Sequence, residues 1–208
     1  MSDENRRPLT SRNSAWAARL ASWAVAREIT PNQISQASMG FAAAGFFLYA
    51  LSTQGDGFTQ FLCLILAAAT VQARLVCNLI DGMVAIEGGK GAKDGPFWNE
   101  APDRASDLLF FAGACLAAGQ PALVLLAAAL AIGTAYIREL GRAEGFAPDF
   151  SGPLAKPQRM AVLTAGTLLA ALYATHWTLT VTLWIIGAGT AATIIRRSWT
   201  LIDRLKSR

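Results

Sequence analysis

Residues 108–137 read LLFFAGACLAAGQPALVLLAAALAIGTAYI, a run without a single charged side chain. A helix that crosses a bilayer needs about 20 mostly apolar residues, so a run of this length holds two once its flanks are counted. Gly119-Gln120-Pro121 breaks it near the middle, since glycine and proline punctuate helices. The stretch is predicted to be a helical hairpin.

Working outward, residues 29–55 and 57–73 are uncharged, and so are residues 160–195 apart from His176. Thr175-His176-Trp177 divides the last run. The expected helices are 33–53, 58–86, 100–118, 121–141, 159–175 and 178–197. The fold class is therefore all-α: a polytopic membrane protein of six transmembrane helices. Its expected units are a cytoplasmic N-terminus over 1–29, a six-helix membrane domain over 30–197 and a cytoplasmic basic tail over 198–208.

The basic residues test that count, because cytoplasmic loops of membrane proteins collect Lys and Arg. With six spans, sixteen of the eighteen basic residues fall on the side that holds both chain ends, the 87–99 loop and the 142–158 loop. The opposite loops, near 54–57, 119–121 and 175–178, hold none. The other two, Arg74 and Arg104, lie within the second and third helices. The expected location is an inner membrane, multi-pass, with both termini cytoplasmic. Before the first span, Trp16, Leu20 and Trp23 share a helix face at i, i+4 and i+7 with Arg19 beside them. Residues 14–26 are thus expected to form an amphipathic helix lying in the membrane interface.

Composition points the same way, with 53% hydrophobic and 15% charged residues. The net charge of +4 forms no basic stripe interleaved with aromatics, so nucleic acid is not an expected partner. Cys63, Cys77 and Cys115 lie in apolar segments without metal-ligand spacing, which argues against a disulfide framework or a zinc site. Met1 to Asn13 is polar, and no cleaved leader is expected there. His176 falls at the non-cytoplasmic turn and is read as an interfacial residue without a catalytic role.

Charged groups inside a bilayer persist where they face a cavity, a partner or a metal. Here they concentrate at the end of helix two, Asn78-Leu79-Ile80-Asp81-Gly82-Met83-Val84-Ala85, and the start of helix three, Asp103-Arg104-Ala105-Ser106-Asp107. Asn78 and Asp81 share one helix face, as do Asp103 and Asp107. A short loop makes these helices expected antiparallel neighbours, with their polar faces meeting at the cytoplasmic boundary. Three carboxylates packed together need a counter-charge, and oxygen ligands without His or Cys suit magnesium, manganese or calcium. The plainer alternative pairs Asp103 with Arg74 and leaves Arg104 and Asp107 as solvated helix-end charges.

Asp81-Gly82-x-x-Ala85 followed by Asp103-x-x-x-Asp107 resembles the signature of the CDP-alcohol phosphotransferase family, D-x-x-D-G-x-x-A-R, about eight residues, then G-x-x-x-D-x-x-x-D. The chain departs from it at Asn78 for the first Asp, Ile86 for the Arg and Asn99 for the second Gly, with a longer spacer. Keeping the family's spacer aligns Gly95, Asn99 and Asp103 instead; a four-residue loop insertion keeps both aspartates and is preferred here.

The resemblance implies a transferase of phospholipid biosynthesis. Such an enzyme moves a phosphatidyl or substituted phosphate group from a CDP-linked donor, foremost CDP-diacylglycerol, to an acceptor hydroxyl and releases CMP. It implies a Mg2+ or Mn2+ cofactor on Asp81 and Asp103 with Asn78 and Asp107 nearby, Asp107 as the catalytic base, and room for the nucleotide at Gly82 and Ala85. Glu87 or Glu100 is expected to help the weakened metal position; Arg74, Lys90 or Lys93 replaces the missing Arg approximately. Arg138, Arg142, Lys156 and Arg159 are expected to hold the phosphate of a phosphorylated acceptor, although positive-inside bias alone also places charges there. Membrane lipid and a second copy of the chain complete the expected partners. The competing functions are a catalytically impaired relative that binds lipid or nucleotide, and a small cation transporter.

Overall fold

The computed structural model describes residues 14–89, 93–173 and 176–208, the side chains of Glu87 and His176 excepted. Met1 to Asn13, Lys90 and those two side chains thus lie outside the described residues. Within them the chain is all helical: α1 Ala15–Ala26, α2 Pro31–Ser52, α3 Gly57–Glu87, α4 Gly95–Ala117, α5 Leu123–Ala143, α6 Lys156–Tyr173 and α7 His176–Lys206.

Local sequence explains the boundaries. Thr30 and Gln33 cap α2 reciprocally: the Gln33 amide donates to Thr30 Oγ1, and the Thr30 amide donates to Gln33 Oε1. Each bond satisfies a backbone or side-chain group that a bare helix start would strand. Pro31 opens the first turn, where its missing N–H costs nothing. Asp56 caps α3 through the Thr59 amide at 2.9 Å. Between α4 and α5, Gly119 adopts φ 66°, a left-handed backbone that ends helices and favours glycine.

Two boundaries differ from expectation. α4 begins at Gly95 rather than near 100, with Pro96 in its first turn, so the loop before it is shorter than 87–99. α7 runs unbroken to Lys206, so most of the supposed basic tail is helix, with Arg204 and Lys206 in a last turn where cations are favoured.

Four helices, α2, α3, α5 and α7, are long and apolar enough to cross a membrane. α4 and α6 are not among them; α4 carries Glu100, Asp103, Arg104 and Asp107 in its first half, and α6 is the shortest of the candidate spans at 18 residues. Large apolar side chains such as Phe47, Leu125, Leu172, Trp184 and Ile195 nonetheless point outward on several helices, a surface suited to lipid.

The helices after α1 close a ring in the order α2, α3, α6, α7, α5, α4 and back to α2. α3 and α4, although consecutive, make at most sparse backbone contact; α2 packs on both. The expectation that they are antiparallel neighbours is therefore corrected in part: their backbones stand apart, but their polar faces do meet, through long side chains that cross the gap. α1 lies outside the ring against α3, burying Ala17, Ala21 and Ala24 on Leu79, Ile80, Met83 and Val84. Its other face exposes Trp16, Leu20 and Trp23.

Small residues set the close approach of α2. A Cβ on Gly45 would lie 2.5 Å from the Phe110 ring and 2.6 Å from Thr70 Oγ1, and one on Gly113 would lie 3.0 Å from the Phe46 Cα. Gly113→Leu is therefore expected to destabilise the protein in detergent by about 1–3 kcal/mol. Gly40→Ala, whose Cβ meets nothing within 4 Å, should leave the unfolding midpoint within about 0.5 kcal/mol of wild type.

Candidate active site at one end of the helix ring

The start of α2, the end of α3, the start of α4, the end of α5, the start of α6 and the end of α7 converge on one end of the ring, and each contributes polar side chains. From α2, the Ser35 hydroxyl donates to Asp81 Oδ2 on α3 at 2.9 Å. Across the gap to α4, Arg74 Nη2 donates to Asp103 Oδ1 at 2.8 Å, and Asn78 Nδ2 donates to the same oxygen at 2.9 Å. The Lys156 ammonium, at the first residue of α6, pairs with Asp103 Oδ2, which also lies 3.6 Å from Arg104 Nη2. Asp103 thus faces three cations.

One turn further along α4, Asp107 is held at both oxygens. Arg159 Nη2 on α6 lies 3.1 Å from Oδ2 and Arg74 Nη2 lies 3.5 Å from Oδ1. Arg159 Nη1 also donates to Thr134 Oγ1 on α5 at 3.1 Å. Arg197 on α7 donates to the Thr134 carbonyl and, from Nε, to the Ser151 carbonyl, each at 2.9 Å. Thr134 therefore ties two guanidiniums together. In the loop beside them, burial pushes the Asp149 carboxyl up, but the Ser151 hydrogen bonds and the Arg197 and Arg204 charges outweigh it and hold it below its ordinary value. A small cavity beside it is lined by Arg138, Asp149, Arg197 and Arg204.

The arrangement leaves donors over. Among the described residues, Arg74 Nε and Nη1, Arg159 Nε and Arg197 Nη2 are buried without a hydrogen-bond partner, as is Asp107 Oδ1. Buried polar groups are ordinarily satisfied, and unpaired guanidinium donors are matched to phosphate or carboxylate oxygens.

The residues expected from the sequence fare differently. Asn78, Asp81 and Asp103 do gather, and Asp81 and Asp103 lie close enough for their charges to interact. The plainer pairing of Asp103 with Arg74 is present as well. Asp107 is only 2% exposed, so it is not a solvated helix-end charge. The carboxylates do not present a ligand set: among the described residues no group of three or more His, Cys, Asp or Glu is placed to hold a metal ion. Lys156 sits with the carboxylates rather than with the other basic residues. Arg138 pairs with Glu100 at 2.6 Å and Glu139 at 2.9 Å, so Glu100 serves Arg138 as well as Arg104, which is 3.4 Å away. Arg142 reaches only Glu139, on the exposed flank. Gly82 offers open space, since a Cβ there would meet nothing within 4 Å, and Ala85 is half-buried.

Sequence reasoning missed Ser35, Thr134 and Arg197. A signal for Arg197 was present: Thr190, Thr193 and Arg197 fall at i, i+3 and i+7 and are all buried, a polar stripe on an otherwise apolar helix.

No family model matches the chain. Over 180 residues it is 29% identical to the phosphatidylinositol phosphate synthase of Corynebacterium glutamicum, covering 82% of this chain and 76% of that one. Over 139 residues it is 27% identical to the synthase of the same name from Mycolicibacterium smegmatis, covering 62% of each. The match thus spans less than two thirds of the Mycolicibacterium protein. The fold is similar to that of Mycobacterium tuberculosis phosphatidylinositol phosphate synthase with CDP-DAG bound, at TM-score 0.74 and 20% identity over 90% of this chain and 94% of that one. It is similar also to that enzyme in complex with manganese and citrate, at TM-score 0.72 and 21% identity over 89% and 88% of the two chains.

In sequence and in fold the chain is thus similar to phosphatidylinositol phosphate synthases, in keeping with its resemblance to the CDP-alcohol phosphotransferase family. Against that family's signature it carries an amide at Asn78 and an aliphatic side chain at Ile86, and its acidic end is laced with the chain's own cations. Breaking one buried pair leaves an uncompensated charge. Asp107→Asn, which leaves Arg159 without its carboxylate and takes one of two from Arg74, is therefore expected to cost about 3 kcal/mol in reversible unfolding, while Asp81→Asn, which keeps an acceptor for Ser35, should cost under about 1 kcal/mol.

Proposed function

We propose that this protein is a membrane phosphotransferase of phospholipid biosynthesis, moving a phosphatidyl group from CDP-diacylglycerol to the hydroxyl of a phosphorylated acceptor and releasing CMP. One observation supports the reading: the carboxylates of α3 and α4 are linked through Asp107, Arg159 and Thr134 to Arg197, and Arg159 Nε and Arg197 Nη2 are buried without a hydrogen-bond partner among the described residues. A diphosphate donor and an anionic acceptor need these two facilities side by side. The fold's likeness to a chain with CDP-DAG bound supports the donor. Six spans, with α1 lying on the membrane surface and both termini cytoplasmic, complete the proposal.

The chemistry asks for an acceptor oxygen to attack the phosphorus that bears the lipid, for the anhydride bond to CMP to break, and for the hydroxyl proton to pass to a carboxylate. Arg159 and Arg197 orient the acceptor through its phosphate. Gly82 and Ala85 leave room for the nucleotide. The base position is better filled by Asp103 than by Asp107. On antiparallel helices joined at their near ends, the first acidic position of one helix faces the last of the other, and Asn78 meets Asp103. Asp107 meets Arg74, one turn deeper. This pairing matches the register Gly95, Asn99, Asp103, which needs no loop insertion. The cation expected from the sequence, magnesium or manganese, has its counterpart in the manganese of the Mycobacterium tuberculosis enzyme; when bound, such an ion neutralises diphosphate charge.

A second reading, a relative that binds the donor without turning it over, is favoured by the cations that already occupy Asp103 and Asp107. The transporter reading loses its ground, because the carboxylates lie at one end of the ring rather than midway along it.

Purified protein supplied with CDP-diacylglycerol, manganese and a panel of phosphorylated alcohols should release CMP. Asp103→Asn should cut that release by roughly 100-fold or more, and Arg197→Ala should raise the acceptor KM by roughly tenfold. CDP-diacylglycerol binding without CMP release under any acceptor selects the binding-only relative.

A further inference from the structure

The carboxylates at the acidic end already carry counter-charge. Asp103 and Asp107 pair with Arg74, Arg104, Lys156 and Arg159, and Asp81, bonded by Ser35, also feels the Lys156 charge, three negative groups against four positive ones. A divalent ion entering among them finds both Asp103 oxygens, Asp81 Oδ2 and Asp107 Oδ2 already engaged and meets repulsion that a low-dielectric surrounding strengthens.

The four cations are not equivalent. Arg74 is fully buried, and it is pinned by Asp103 and Asp107 together. Arg159 is held by Asp107 and Thr134, and Arg104 is shared with Glu100. Lys156 alone pairs directly with Asp103 while its charge also acts on both Asp81 and Asp107. Its side chain retains 12% exposure, so it sits at the mouth. It begins α6, next to the loop. A lysine is a compact point charge on a flexible stem; among the four it is the one able to withdraw without unpinning a helix.

We propose that the Lys156 ammonium stands among Asp81, Asp103 and Asp107 in the place of a divalent ion, as a tethered counter-cation that a metal must displace to enter. Metal occupancy and the Lys156–Asp103 contact are then mutually exclusive. The inference concerns the cation and not the donor, so it stands or falls apart from the transferase reading.

The test is direct metal binding by the purified full chain in detergent, with Mn2+ as the probe and its free signal followed by electron paramagnetic resonance. Lys156→Gln should bind Mn2+ roughly tenfold or more tightly than wild type. Lys156→Arg, which keeps the charge, and Lys206→Gln, which removes one far away on α7, should both bind as wild type does. Equal uptake by wild type and Lys156→Gln, whether tight or absent, overturns the proposal. A readout without substitution guards against a variant that does not fold: in wild type, at Mn2+ concentrations that achieve uptake, amine-reactive labelling of Lys156 should rise severalfold. Bound Mn2+ with unchanged labelling also overturns it.

Discussion

The structure turns on one carboxylate. Asp103 accepts from Arg74 and Asn78 on α3, pairs with Lys156 on α6, and lies beside Arg104 on its own helix. α3 and α4 are not packed directly on each other but both pack on α2, so this cross-gap network is the side-chain link that ties their facing ends together. A buried charge is costly unless its partners are in place, which makes the network a strict constraint on how the two helices face one another. Asp107 repeats the device one turn deeper with Arg74 and Arg159, and Arg74 serves both carboxylates.

From that constraint the site follows. With α3 and α4 apart and α2 packed on both, polar side chains from six helix ends meet at one end of the ring. Thr134 then couples Arg159 on α6 to Arg197 on α7, so the proposed anion-binding donors are built on the same helices that carry the ion pairs. The unpaired guanidinium nitrogens mark where a ligand's oxygens complete the network. Small residues on α2 and α4 allow the tight packing on the other side of the ring.

Most of the fold was legible in the sequence because the bilayer requirement is coarse: uncharged runs, a Gly-Gln-Pro break and the distribution of Lys and Arg locate the helices to within a few residues. The start of α4 and the length of α7 were missed, since Pro96 in a first turn and a polar helical extension look like loop and tail. In the site, Asn78, Asp81 and Asp103 were legible from helical spacing, and Arg74 as a pairing partner. The register Gly95, Asn99, Asp103 already sets Asp103 last, opposite Asn78, but it loses an aspartate at Asn99, and helical spacing alone does not fix how two separate helices are staggered. Nor could it reveal that Lys156, some fifty residues along the chain from Asp103, folds back among the carboxylates. Arg197 was hidden by the positive-inside bias, which explains any basic residue at a helix end on the expected cytoplasmic side.

The central claim, that Asp103 joins α3 to α4 through Arg74, is tested most directly by a double-mutant cycle on Arg74→Met and Asp103→Asn, read by reversible unfolding in detergent. A coupling of about 2 kcal/mol or more between the two substitutions is expected for a shared buried network. Effects that add to within about 0.5 kcal/mol would show that the two residues act independently, and that Asp103 does not join α3 to α4 through Arg74.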